Sequence, residues 1–165
     1  MKNKGIIIGL ILIIIGIILV SSGYYGITKL PEKNSISEVN SGNEYITEKF
    51  NFTKNDELIV IANSNDSGLI KESNLSEISQ NNLTKYTITP SKTSNDTFYF
   101  SNISGNYVFV IFSNKTPSVN YEFAPVSEFK SVAYDGYMAA MGALLFGSGI
   151  IIAFVSILLP KMKRR

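Results

Sequence analysis

The chain contains no cysteine, no histidine and no tryptophan. Without cysteine it forms no disulfide and offers no thiolate, and without histidine it has no imidazole base. The same two absences remove the commonest protein ligands of zinc and haem. We therefore expect no cofactor, no metal site and no catalytic residue, and we interpret the chain as a non-enzymatic protein.

Oxygen ligands are the remaining candidates for such chemistry, and they fall short as well. Asn63, Asn65, Ser67 and Gly68 resemble part of a calcium-binding loop, but Asn74 stands where that loop needs a bidentate glutamate. The acidic residues are scattered along the chain rather than paired at a spacing that suits acid–base catalysis. The sequence thus predicts no calcium site and no carboxylate dyad.

Charge is segregated along the chain, although the formal net charge is only +2. The first 27 residues carry two lysines, Lys2 and Lys4, and residues 160–165 carry four basic residues. Between these ends, nine lysines stand against all thirteen acidic residues. Basic ends therefore flank an acidic centre, and we expect no nucleic-acid partner.

Two uncharged apolar runs lie near the ends. The first extends from Gly5 to Val20 and continues to Ile27, and the second extends from Tyr137 to Leu159. Each is long enough to span a hydrocarbon core of roughly 30 Å as a helix, and neither shows the polar face of a soluble amphipathic helix. The sequence predicts two transmembrane helices with the lipid bilayer as their partner.

The basic residues predict which side each end occupies, because cytoplasmic flanks are enriched in lysine and arginine. The second helix is followed by a basic cluster of Lys161, Lys163, Arg164 and Arg165. Tyr24 and Tyr25 follow the first helix and Tyr134 and Tyr137 precede the second, as expected for aromatic anchors at one interface. We expect a two-pass protein of the plasma membrane with both termini cytoplasmic and the middle outside.

Two alternatives concern the first helix. Its basic start, apolar core and the step Ser21-Ser22-Gly23 resemble a cleaved secretory signal peptide. The step Lys4-Gly5-Ile6 resembles the processing site of an archaeal pilin-like precursor. Both alternatives stay open at the level of the sequence.

Small residues recur along both helices and allow close approach of helix backbones. Gly9, Gly16 and Gly23 recur every seventh position, Gly5 and Gly9 form a G-x-x-x-G motif, and Ala139, Ala143 and Gly147 recur every fourth position. These residues are candidates for packing, either between the two helices or against a partner subunit. No ionisable residue interrupts either predicted span, which argues against an ion pathway in this chain alone.

Between the helices, short apolar or alternating runs are separated by Asn, Ser, Asp, Gly and Pro, as is typical of strands and turns. The predicted strands are 49–52, 58–62, 85–88, 98–100, 107–112 and 119–123, with weaker ones at 36–39 and 69–71. Alternating and continuous apolar strands with closely spaced turns favour a mainly β fold, an antiparallel β-sandwich of jelly-roll or Ig-like type. The predicted organisation is a helix with its short cytoplasmic start (1–27), the β domain (28–124), a juxtamembrane linker (125–136) with breaks at Pro125 and Gly136, and a helix with a basic tail (137–165).

The motif Asn-x-Ser/Thr occurs seven times, always in the middle domain. The candidate acceptors for N-glycosylation are Asn51, Asn65, Asn74, Asn82, Asn95, Asn102 and Asn114. Most of them fall in predicted turns, where a glycan can extend into solvent.

The run Gly105-Asn106-Tyr107-Val108-Phe109-Val110-Ile111-Phe112-Ser113-Asn114, followed by residues 119–123, resembles the closing strands of p24 Golgi-dynamics-type domains. That resemblance implies a membrane-anchored β-sandwich. More broadly, a cysteine-free outer domain rich in Asn, Ser and Thr between two helices resembles archaeal-type membrane-anchored surface proteins. This second resemblance implies localisation at the cell surface and glycosylation, and it implies no activity.

The leading functional hypothesis is a non-enzymatic envelope protein whose sandwich contacts another protein or a glycan at the cell surface, with the helices as its anchor; a protein partner could lie in the membrane or at the surface. The alternative is an accessory subunit of a larger respiratory, transport or secretion complex. A third class, an enzyme using scattered carboxylates, lysines or hydroxyls, would require a pocket in which such groups converge.

Overall fold

The computed structural model describes residues 3–30, 32–39, 43–64 and 66–162. The chain divides into two compact units, one made of Met1–Leu30 with Phe129–Arg165 and the other of Pro31–Glu128. In chain order the elements are α1 (Asn3–Ile27), β1 (Ile36–Val39), β2 (Glu44–Thr47), β3 (Phe50–Phe52), β4 (Asp56–Ala62), β5 (Ser67–Lys71), a 3₁₀ turn (Glu72–Asn74), α2 (Leu83–Tyr86), β6 (Lys92–Ser94), β7 (Thr97–Ser101), β8 (Gly105–Phe112), β9 (Val119–Pro125) and α3 (Val126–Met162).

The two long helices contain the two apolar runs. Within them, Lys4–Ile27 and Val126–Leu158 are long and apolar enough to cross a membrane. α3 begins at Val126, so the predicted linker 125–136 is wrong from its second residue onward: that stretch is helical and Gly136 does not interrupt it. Good helix formers such as Glu128, Lys130 and Ala133 offset the roughly 1 kcal/mol that a glycine costs inside a helix.

The first sheet is antiparallel and is centred on β8. One edge of β8 pairs with β2 and, further along, with β3, while its other edge pairs with β5. β1 extends the sheet beyond β2, with Ile36 opposite Thr47. β8 is therefore the central strand to which three strands from earlier in the chain are added.

β2 and β3 behave as one strand interrupted at Glu48 and Lys49. At this break the backbone N–H of Phe109 donates to the side-chain Oγ1 of Thr47 at 3.1 Å rather than to a strand carbonyl. Thr47 is buried, so its hydroxyl satisfies an amide that water cannot reach. The interruption lets the strand bend while β8 continues straight past it.

The second sheet is also antiparallel, with the order β6-β7-β4-β9. β4 lies at its centre and pairs with β9 over seven residues, from Asp56 opposite Pro125 to Ala62 opposite Val119. Beyond β9, Lys33 and Tyr121 exchange two backbone hydrogen bonds of 2.9 and 2.7 Å. This bridge covers part of an otherwise open edge.

The two sheets bury a common core. Its largest fully buried members, Phe50, Phe100, Phe109 and Tyr121, come from both sheets, and each is at most 2% exposed. On β4 every second side chain is buried, as expected for a strand with one face towards the core: Leu58, Val60 and Ala62 point inward. No disulfide is needed, because these large side chains remove extensive apolar surface from water.

β8 is buried on both faces, as its uninterrupted apolar run predicts. Tyr107, Phe109 and Ile111 join the core between the sheets, while Val108 and Val110 face a second cluster. The second cluster is closed by side chains from residues 70–86, including Ile70, Leu75, Ile78, Leu83 and Tyr86. The segment from the 3₁₀ turn to α2 therefore forms a cover over this face of β8.

That cover corrects one strand prediction. Residues 85–88 were expected to form a strand, but Leu83–Tyr86 is a short helix and Thr87 closes it, with its N–H donating to the carbonyl of Leu83. The alternation was misleading because Leu83 and Tyr86, one helical turn apart, both pack towards β8. The other predicted strands are present, whereas β2 and β6 were not predicted.

By content the chain is 43% helical and 31% strand, so "mainly β" does not describe it as a whole. The two long helices account for most of the difference. The structure is two antiparallel sheets with two long apolar helices.

Candidate functional site

The contact between α1 and α3 is built on glycine. Among the described side chains of the helical unit, the buried residues are all glycines: Gly9, Gly16, Gly23, Gly26, Gly142 and Gly149. A Cβ placed on Gly16 would lie 2.6 Å from the backbone nitrogen of Phe146 and 2.7 Å from the carbonyl oxygen of Gly142. The neighbouring atoms are backbone and cannot swing away, so the helices approach as closely as their backbones allow.

The contacts follow one antiparallel register with a period of seven residues. Gly9 meets Gly149, Gly16 meets Gly142, and Gly23 meets Asp135. A seven-residue period on both helices keeps the same stripe at the contact along their whole length. The heptad of glycines predicted on α1 therefore packs within the chain.

Not all candidate packing residues lie at this contact. Gly5 lies against Ser156, and Ala139 lies against Gly23. Ala143 is exposed, and a Cβ on Gly147 would meet nothing within 4 Å. Most of the four-residue repeat on α3 therefore lies outside the contact. The glycines of α1 recur every seventh residue, and they pack against Gly142 and Gly149, which have the same spacing.

Asp135 is the one acidic residue that the helix contact encloses, and the sequence reasoning did not single it out. Its Oδ2 is buried without a hydrogen-bond partner among the described residues and lies 3.9 Å from the Nζ of Lys29. The carboxylate occupies the space beside Gly26, where any side chain would collide with it. Extending the heptad back from Gly142 by seven residues would have found this position.

Four exposed tyrosines mark this same end of the helix pair. Tyr24 and Tyr25 on α1 are 68% and 74% exposed, and Tyr134 and Tyr137 on α3 are 64% and 74% exposed. They stand within one helical turn of the contact between Gly23 and Asp135, so both pairs lie at one level along the helix pair. This is the placement expected for aromatic anchors at a membrane interface.

Away from the glycines, the outer surface of the helix pair is aliphatic. Its exposed large side chains include Ile7, Ile11, Ile14, Ile18, Leu144, Ile151 and Phe154. A soluble protein seldom exposes so large an apolar surface. At the far end, Lys161 belongs to α3, whereas Lys163, Arg164 and Arg165 lie outside the described residues.

In the β domain, the most apolar exposed position is on the outward face of the four-stranded sheet. Ile61 is 47% exposed and is the one exposed large hydrophobic among the described residues of the unit Pro31–Glu128. Ile59 lies two residues away on the same face, opposite Glu122. Glu32, Ile59, Ile61, Asn120 and Glu122 line a shallow cavity of about 110 Å³. We call these five residues the acidic–apolar face.

The two carboxylates of the acidic–apolar face influence each other. Partial burial, and secondly the negative charge of Glu32, raise the pKa of Glu122 above its ordinary value. Lys33 does not relieve this, since its Nζ donates to Glu48 at 2.6 Å, a contact that raises the pKa of Lys33. The face therefore carries charge of one sign beside apolar surface.

Two larger depressions lie elsewhere on the domain. One of about 280 Å³ is bordered by α2 and contains the hydrogen bond from Gln80 Nε2 to Asp66 Oδ2 at 2.7 Å. The other, of about 500 Å³, is lined by residues 71–73 and 104–107 and lies next to the ion pair between Lys49 and Glu72. Across the part of the chain that the structure describes, no three acidic residues gather closely enough to hold a metal ion.

The candidate glycosylation sites occupy different kinds of structure. Asn51 lies within β3, Asn74 in the 3₁₀ turn, and Asn82 directly before α2. The remaining described sites, Asn95, Asn102 and Asn114, lie in the turns between β6 and β7, β7 and β8, and β8 and β9. Asn65 lies outside the described residues.

Compared with known proteins, the chain matches no protein family, no curated protein and no solved structure. The resemblances to p24-type domains and to archaeal-type surface proteins therefore stay expectations.

Proposed function

We propose that the chain is a non-enzymatic, two-pass protein of the plasma membrane that presents a β-sandwich interaction domain outside the cell, with both termini in the cytoplasm. The observation that carries this proposal is the helix pair: glycine inside, aliphatic side chains outside, and tyrosines at one end. A bilayer is the solvent that suits such an exterior.

Both ends of the chain support the orientation. The tyrosine end of the helix pair is the end where the chain leaves α1 for the β domain, and only Lys29, Lys33 and Lys130 lie near it in sequence. The larger group of basic residues lies at the opposite ends of the two helices: Lys2, Lys4, Lys161, Lys163, Arg164 and Arg165. Lysine and arginine remain on the cytoplasmic side during insertion, and a long intervening domain is translocated. The acidic middle of the chain is then outside.

The packing of α1 also argues for its retention. If a peptidase cut after Ser21-Ser22-Gly23, α3 would lose the partner that covers Gly142 and Gly149. Their exposed backbone would then face lipid without the close contacts that drive helix association. This favours an anchor over a cleaved signal peptide, whereas processing at Lys4-Gly5-Ile6 would leave the α1 glycines in place. Because the α1 glycines already pack against α3, they are not available as a packing surface for the partner subunits of a larger complex.

Aromatic contacts between the sheets support the sandwich assignment. Phe50 of the first sheet meets Tyr121 of the second edge to face, with ring centroids 5.4 Å apart. Phe52 meets Phe123 at 4.9 Å, and Phe109 meets Phe100 at 6.2 Å. Such pairs stabilise the packing beyond the apolar area that they bury.

The acidic–apolar face is the surface that we assign to the interaction. Ile59 and Ile61 offer apolar contact, while Glu32 and Glu122 offer negative charge and form no salt bridge among the described residues. A complementary partner is a protein segment with an aliphatic side chain next to a lysine or arginine. Binding of the basic group would also relieve the repulsion between the two glutamates.

The cysteine-free sequence permits a direct test of the topology. A single cysteine introduced by Lys54→Cys, in the exposed turn between β3 and β4, should react with a membrane-impermeant maleimide in intact cells. The matched variant Lys163→Cys, in the basic tail, should react only after the membrane is permeabilised. The proposal fails if Lys54→Cys stays unlabelled in intact cells while Lys163→Cys is labelled.

A photo-crosslinking amino acid at Ile61 tests the assigned face in living cells. It should give a discrete adduct that disappears when Glu122→Lys is added, because the added charge repels a basic partner. The control position is Asn81, which is exposed on the other side of the first sheet, near α2. Identical adducts from Ile61 and Asn81, or an adduct unaffected by Glu122→Lys, would rule out this face.

A further inference from the structure

Six of the seven Asn-x-Ser/Thr motifs have their asparagine among the described residues, and these six are alike in sequence but unlike in structure. Glycan transfer requires an enzyme to reach the asparagine amide and the hydroxyl two residues later together. The asparagine and the middle residue must therefore lie at the surface, because a middle residue packed in the core holds the tripeptide against the fold.

Two motifs meet this condition; Thr116 of one is exposed as well, whereas Thr97 of the other is half-buried at the start of β7. Asn95 and Asn114 are both exposed and lie in turns between strands. Their middle residues, Asp96 and Lys115, are exposed as well. Asn95 has a φ of 51°, a left-handed conformation that asparagine tolerates in turns.

Three motifs are held to the fold through their middle residue. Phe52, after Asn51, is 2% exposed, and Leu83, after Asn82, is 4% exposed. Leu75, after Asn74, packs in the cluster under β8. Lifting any of these tripeptides into an active site would pull a core side chain out of its contacts.

Hydrogen bonds reinforce this difference. The Oδ1 of Asn82 accepts from the N–H of Ser79 at 2.7 Å, and its Nδ2 donates to the carbonyl of Glu77 at 3.1 Å. In the first motif, the hydroxyl of Thr53 donates to Asp56 at 2.9 Å. Asn102 is an intermediate case, since it is exposed in a turn but Ile103 packs against the core.

We propose that Asn95 and Asn114 carry N-linked glycans and that Asn51, Asn74 and Asn82 remain unmodified; this rests on the proposed exposure of the domain outside the cell. In the transfer, Nδ2 of the asparagine forms a bond to C1 of a saccharide. The bond from C1 to the phosphate of a lipid-linked sugar donor breaks, the phosphate leaves with the electron pair, and a base of the transferase takes the proton from Nδ2.

The two sites belong to one end of the domain. The backbone N–H of Ala62, the last residue of β4, donates to the carbonyl of Asp96, and Ala62 pairs with Val119 at the start of β9. The turns that carry Asn95 and Asn114 thus lie where β4 ends and β9 begins.

The test uses the full-length protein purified from its native membrane and mapped by glycopeptide mass spectrometry. Thr97→Val and Thr116→Val each remove the acceptor hydroxyl but leave the asparagine and its turn in place. Each variant should lose the mass of one glycan, and the double variant should lose two. The matched control Thr84→Val alters the Asn82 motif and should leave the mass of the attached glycan unchanged.

A second readout separates this proposal from the proposed function. Lys54→Cys reports, by maleimide labelling of intact cells, whether the domain is outside. Labelling together with unmodified Asn95 and Asn114 would overturn the glycosylation proposal alone, and absence of labelling would overturn the topology beneath it. If Asn82 and Asn95 carried glycans to the same extent, burial of the middle residue would not decide which motif is modified, and the proposal would be overturned.

Discussion

Replacing Gly16 by alanine should separate the two helices. The added Cβ would lie 2.6 Å from the backbone nitrogen of Phe146 and 2.8 Å from its Cβ. An ordinary contact needs about 3.4 Å, so the backbones must move apart by roughly 0.8 Å, a gap that forfeits a quarter to a half of the dispersion energy of each facing atom pair. Summed over the contact, we expect a loss of about 1–3 kcal/mol, typical of overpacking.

Gly147→Ala is the matched control. It lies on the same helix pair, yet a Cβ there meets nothing within 4 Å. Alanine should therefore be neutral, or stabilise the helix by up to about 1 kcal/mol through its higher helix propensity. The two variants make the same chemical change and are expected to act in opposite directions.

The assay takes advantage of the cysteine-free background. Lys4→Cys and Ile157→Cys, near the contact of Gly5 with Ser156, are labelled with pyrene, whose excimer emission requires close approach. Titration with a denaturing detergent should show earlier loss of the excimer for Gly16→Ala than for Gly147→Ala. Coincident titrations would refute the reasoning, because they would mean that α1 and α3 are not held by the glycine contact.

Two further predictions concern the β domain. Thr47→Val should destabilise it by about 1–3 kcal/mol, because the buried N–H of Phe109 loses its acceptor. Thermal unfolding followed by near-ultraviolet circular dichroism should show this loss of stability. The control variant Thr84→Val, at an exposed position, should change the stability little. Glu122→Gln should raise the unfolding temperature at neutral pH. With a raised pKa, the folded state binds more protons than the unfolded state, so the stability contributed by Glu122 is present below its ordinary pKa of 4.5 and is lost as the pH rises through the folded value. The increase in unfolding temperature caused by Glu122→Gln should therefore vanish in acid. An increase that did not depend on pH would mean that the raised pKa of Glu122 is not its cause.

Periodicity predicted the helices and most strands, because those signals are local. β8 shows this best: a continuous apolar run predicted burial on both faces, and both faces are buried. β2 was missed because its sequence, Glu-Tyr-Ile-Thr, places polar residues at buried positions. Thr47 is buried to serve the amide of Phe109, 62 residues away, and no local pattern reports such a need.

The helix contact was predicted on one side only. On α1, the heptad of Gly9, Gly16 and Gly23 was predicted from the sequence. On α3, the prediction chose the four-residue repeat of Ala139, Ala143 and Gly147, whereas the residues that contact α1 are Gly142 and Gly149. A single helix offers several stripes of small residues, and only the partner decides which one is used. The acidic–apolar face could not be predicted either, because Glu32 and Glu122 meet only after β9 has formed.

The central place of β8 constrains how the chain is made. β2, β3 and β5 all emerge from the ribosome before the strand to which they pair, and they remain without that partner until Phe112 has been synthesised. Non-local pairing of this kind delays folding until both segments are present. The first sheet therefore closes late in synthesis, after the pairing of β1 with β2 and of β4 with β7 has become possible.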